Sequence, residues 1–129
     1  DTSVPYDLNQ SPADLIVLSF SDSDLGGFSA GWHRAKTDSK EEKLPTLRLA
    51  NLIALKHPLS VDTYLEKTAS QAKGILIRLI GGKSYWSYGL MQIQDMARKK
   101  NIALAVIPGD GWPIFKNGHD VLTELAENL

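Results

Sequence analysis

The stretch LIGGKSYWSYGL, Leu79 to Leu90, puts two glycines, a lysine, a serine and three large aromatics into one short connection. Gly82-Lys83-Ser84 has the residue types that close a phosphate-binding loop, in which backbone amides wrap the phosphates and lysine neutralises them. The full spacing of such a loop requires a further glycine at position 77, where Ile77 stands inside an apolar run. The helix should also begin directly after the lysine and serine, yet Tyr85, Trp86 and Ser87 intervene. Lys83 therefore reads as a solvated surface side chain rather than a nucleotide anchor.

Arg78 interrupts the apolar run Ile75–Ile80, and a charge inside a sheet is costly unless it is paired. Internal pairing with Asp22 or Asp24 is one solution, and binding a ligand carboxylate is the other. Both aspartates lie in SFSDSD, a Ser-rich loop reminiscent of flavin-phosphate loops. The two carboxylates would repel a phosphate, so capping of a helix by Ser21 or Asp22 explains the composition with less, a cation site being the sharper alternative. His33, His57 and His119 lack metal-ligand spacing. His57 precedes Pro58 in a loop, where it caps, is solvated, or faces a binding rim. No serine, histidine and carboxylate set forms a triad motif, so neither a catalytic residue nor a metal ligand is expected. Arg48 is expected to be exposed on an edge strand.

These groups need a frame. Residues 1–13 are polar and contain proline, which suits an extended arm; residues 14–129 read as a single α/β domain. Strands are expected at Asp14–Phe20, around Thr46–Ala50, at Gly74–Gly82 and at Ile102–Pro108, from short and nearly continuous apolar runs. Between them come three helices. The first carries Leu25, Phe28, Trp32 and Ala35 on one stripe. The second is capped by Ser60, carries Val61, Tyr64, Leu65, Thr68, Ala69 and Ala72, and stops at Gly74. The third, Tyr88–Lys100, turns Leu90, Ile93 and Ala97 inward. A terminal helix capped by Asp120 follows, with Val121, Leu122, Leu125 and Leu129 on one side. Such alternation predicts a three-layer, doubly wound parallel sheet of about four strands, flavodoxin-like in shape. Ligands of such sheets bind beyond the carboxyl ends of the strands. There SFSDSD, GGKSYWSYG and PGDGWP would gather Asp22, Asp24, Lys83, Tyr85, Trp86, Tyr88, Asp110 and Trp112 on one rim.

Composition narrows the function classes. Fourteen basic residues face fifteen acidic ones, which argues against the clustered positive face that nucleic acid needs. The absence of cysteine removes disulfides and thiol chemistry. No apolar run approaches the ~18 residues that span a membrane, and no signal-peptide pattern opens the chain, so a cytoplasmic location is expected. The chain begins without methionine and reads as a piece of a longer protein.

Four segments together, DLIVLSFSDSDLGGFSAGW, LPTLRLANLIALKHPLSVDTYLEKT, AKGILIRLIGGKSYWSYGL and IALAVIPGDG, resemble the amino-terminal part of the CobN family. These are the large, tetrapyrrole-binding subunits of aerobic cobaltochelatase, related to the H subunit of magnesium chelatase. The resemblance covers about Asp14 to Gly111; Lys83-Ser84 departs from the family's usual, less polar loop. It implies a part in ATP-dependent insertion of Co²⁺ into hydrogenobyrinic acid a,c-diamide, on the route to cobalamin. ATP and Mg²⁺ would serve the whole complex, and no cofactor is expected in this segment. Implied partners are the remaining domains of the same subunit, the ATPase-motor subunits and the tetrapyrrole. Arg78, Tyr85, Trp86, Tyr88 and His57, with Asp22 and Asp24, are nominated to contact the macrocycle or a neighbouring domain, the neighbour being favoured. A free-standing flavodoxin-like binding or interaction module is the alternative.

Overall fold

The computed structural model describes residues 4–38, 44–79 and 85–108. Strand β1 (Leu15–Ser19) is buried at every position, as expected for a central strand without a polar face. Helix α1 (Asp22–Asp38) follows, then β2 (Leu47–Asn51), a 3-10 turn (Leu52–Leu55) and helix α2 (Pro58–Lys67). A second 3-10 turn (Ala69–Gln71) leads into β3 (Gly74–Leu79); α3 (Ser87–Lys100) and β4 (Ala103–Pro108) complete the described elements. The four strands are all parallel in the order β2-β1-β3-β4. The doubly wound α/β architecture read from the sequence is thus present. The chain leaves β1 toward β2 and returns on the other side of it as β3, which makes the β1–β3 gap the point where the winding reverses.

Alternation along the strands divides the core between two faces. Leu15, Val17 and Leu76 pack with Leu25 and Phe28 of α1. Ile16, Leu18, Ile75 and Ile77 face the other way, against Val61, Tyr64 and Leu65 of α2 and Leu90, Ile93 and Ala97 of α3. Each of these fully buried aliphatic side chains contributes about 1.5–3 kcal/mol by leaving water. The α3 termini are set locally. Arg98, Lys99 and Lys100 meet the negative end of its dipole, and Asn101 adopts the left-handed conformation (φ 57°) that ends the helix.

Two expectations about α2 are corrected. Ser60 does not cap it, because the helix starts earlier, with Pro58 in its first turn and His57 at the cap, Nδ1 accepting from the Leu59 N–H. Ser60 is buried inside the helix, and its Oγ accepts the Tyr6 N–H. Nor does α2 run to Gly74. It ends at Lys67, and the hydroxyl of Thr68 donates to the Gln10 carbonyl instead of facing a helix groove.

Arg48 lies on the edge strand β2, as expected, and is half-buried there. Its guanidinium donates to the Ser11 carbonyl (3.0 Å), the Ser11 hydroxyl (2.7 Å) and the Leu47 carbonyl. The amino-terminal segment lies against β2 and α2 through this clamp and through Gln10. The Gln10 amide donates to the Leu49 carbonyl, while its oxygen accepts the Tyr64 hydroxyl. Asp7 pairs with Lys67. The expected terminal helix, and the loops carrying Lys83, Asp110 and Trp112, lie outside the described residues.

Candidate functional site

The carboxyl edge of the sheet carries two separate groups of the nominated residues. The first fills the winding reversal. Ser19 and Arg78 are register partners at the ends of β1 and β3. Arg78 Nη1 lies 2.6 Å from Asp24 Oδ1, with the two side chains 19% and 13% exposed. Asp24 Oδ2 accepts the Ser19 hydroxyl at 3.0 Å, and Ser19 Oγ in turn accepts the Ser21 N–H. Ser21 Oγ accepts the Asp24 N–H at 3.3 Å, so Ser21 caps α1. Asp22 turns aside to accept from Asn51 Nδ2 at 2.8 Å. Of the partners left open for Arg78, the structure selects Asp24. In related sheets this crevice receives an anionic cofactor group; here it presents an internal ion pair and carboxylates. Its chemistry is that of a lock between β1, β3 and α1.

The second group borders an open cleft of about 300 Å³ between the Lys56–Pro58 turn and the Tyr85–Gly89 start of α3. Trp86 is buried, 4% exposed, and its indole N–H donates to the Leu55 carbonyl at 2.9 Å. The indole lies directly over Gly89, where an added Cβ would come within 2.1 Å of a ring carbon. Tyr88 is half-buried, its hydroxyl donating to Asp62 Oδ1 at 2.8 Å. That hydrogen bond, with some burial, raises the phenol above its ordinary value of 10.0. Tyr85 is 60% exposed at the mouth. His57 has Nδ1 committed to the α2 cap, and Lys56 places its ammonium 5.8 Å from the centre of the Phe20 ring. α3 begins here with no side-chain cap at Trp86.

The structure thus brings His57, Tyr85, Trp86 and Tyr88 together, and Asp22, Asp24 and Arg78 together elsewhere on the same edge. Ser19, Lys56, Asp62 and Ser87 belong to these arrangements but were not singled out in the sequence. Ser19 carried a usable signal, being the last inward position of β1 opposite Arg78. Lys56, Asp62 and Ser87 carried none, since their relevance comes from the approach of α2 to α3. Among the described residues, no group of three or more histidine, aspartate or glutamate side chains is placed to hold a metal ion. No helix among them is long and apolar enough to cross a membrane.

Comparison with known proteins gives two relatives. The chain is 41% identical over 113 residues, 88% of its length, to aerobic cobaltochelatase subunit CobN from a Sinorhizobium species. It is 40% identical over 106 residues, 82% of its length, to aerobic cobaltochelatase subunit CobN from Pseudomonas aeruginosa. The chain spans about 8% of the length of each. No protein-family model matches, and no solved structure matches. The resemblance to CobN seen in the sequence motifs therefore holds over most of this chain.

Proposed function

We propose that this chain is one domain of a CobN-type large subunit and acts within an ATP-dependent cobaltochelatase. The complex would insert Co²⁺ into hydrogenobyrinic acid a,c-diamide during cobalamin synthesis in the cytoplasm. Metal and macrocycle are substrates of that complex, and the domain itself is non-catalytic. It seats the macrocycle or holds the subunit together with its other domains and with the ATPase-motor subunits. The similarity to two CobN subunits across more than four-fifths of the chain carries this reading. The chemistry of the edge is consistent with it. Among the described residues, Arg78 is engaged by Asp24, whose other carboxylate oxygen accepts the buried Ser19 hydroxyl.

The competing reading, a free-standing module for a flavin or nucleotide, would use the winding reversal between β1 and β3. The acidic groups there, Asp22 and Asp24, disfavour a phosphate. Macrocycle seating is tested by titrating hydrogenobyrinic acid a,c-diamide with the chain and following fluorescence. Saturable quenching at micromolar protein supports seating, whereas its absence removes seating and leaves assembly as the role.

A further inference from the structure

From the cleft between Lys56–Pro58 and Tyr85–Gly89, we infer a binding site for the carboxylate of a small planar ligand. This deepens the macrocycle-seating reading and rests on it only for the identity of the natural ligand.

The polar groups around the cleft are donors of complementary kinds. Lys56 forms no ion pair among the described residues, and its ammonium is held near the Phe20 ring. His57 is fixed in one tautomer by the fold. Its Nδ1 lone pair accepts the Leu59 N–H at 3.1 Å, so the neutral ring carries its hydrogen on Nε2 and offers a donor there. Ser87 adds an exposed hydroxyl at the start of α3. Among the described residues, no aspartate or glutamate lines the cleft. The nearby Asp62, a potential competitor for these donors, accepts the Tyr88 hydroxyl.

Among the described residues, one permanent cation beside an imidazole N–H and a hydroxyl matches a single negative charge. A phosphate near neutral pH would leave part of its charge uncompensated. Tyr85, more than half exposed at the mouth, offers a ring against which a planar ligand can stack. The floor is rigid, because Trp86 is held by the Leu55 carbonyl and pressed onto Gly89. A volume of about 300 Å³ suits one acid group and the ring that bears it, rather than a whole macrocycle.

The test is a nitrogen-15 NMR titration of the 129-residue chain with 1-naphthoate, 1-naphthalenemethanol and inorganic phosphate. Naphthoate is expected to give saturable shifts confined to His57, Tyr85, Ser87, Gly89 and the Trp86 indole. Lys56→Gln, an exposed change that spares the fold, should weaken its binding about fivefold. The neutral alcohol and phosphate should give no saturable shift at these positions. Absence of naphthoate shifts, equal response to either control, or unchanged affinity in Lys56→Gln would overturn the assignment. A chain that binds naphthoate here yet ignores hydrogenobyrinic acid a,c-diamide upholds the cleft and removes macrocycle seating alone.

Discussion

Arg78 occupies a position where the surrounding run is apolar, and the first turn of α1 supplies Asp24 to meet it. Removing one partner strands the other charge in a poorly solvated place, which outweighs the modest net value of the pair itself. Asp24→Ala is expected to cost about 3 kcal/mol in urea denaturation. The double change Asp24→Leu with Arg78→Met should recover much of that loss. Tyr64 shows the same logic in a neutral group. Burial pushes its hydroxyl well above the ordinary value of 10.0, with Arg48 pulling weakly the other way. The folded state therefore keeps a proton that the unfolded chain releases, so this contribution is complete below pH 10 and declines as pH rises beyond it. Tyr64→Phe should flatten the alkaline fall in stability. It should also lose about 1 kcal/mol near neutrality with the hydrogen bond to Gln10, measured by denaturation at pH 7 and above 10.

At the level of elements, the strands were legible because uninterrupted apolar runs such as Leu15–Leu18 leave few alternatives in a parallel sheet. The first residue of α2 was misread, since Ser60 looks like a cap while the Pro58 signal for an earlier start was available. Trp86 was read as part of an aromatic rim, and the structure buries it. Its spacing with Gly89, Leu90, Ile93 and Ala97 already pointed to the buried side of α3, and only the partner of its N–H, Leu55, needed the fold. Gly89→Ala should push the new Cβ into the indole and cost about 1–3 kcal/mol, with altered tryptophan fluorescence if Trp86 leaves its place. Docking of the amino-terminal segment was invisible in sequence, because its bonds from Gln10 and Ser11 reach residues distant in the chain. Gln10→Ala should cost about 1–2 kcal/mol and speed hydrogen exchange of the Tyr6 amide.

For the molecule as a whole, the sheet places every nominated residue on its carboxyl edge but divides them into a closed ion-paired lock and an open cleft. That division follows from side-chain pairing and helix approach, which local pattern does not encode. Edge placement itself followed from the alternation of strands and helices. The lock gives the domain a rigid β1–β3 junction; the cleft leaves Lys56, His57 and Tyr85 available to another molecule. In the proposed role, these features serve a CobN-type subunit. The most direct measurement exchanges the matching segment of the Pseudomonas aeruginosa CobN relative for this chain and assays cobalt insertion with its partner subunits. A domain with that role gives a soluble chimera that retains insertion activity, whereas loss of insertion in a chimera that folds and assembles normally overturns the assignment.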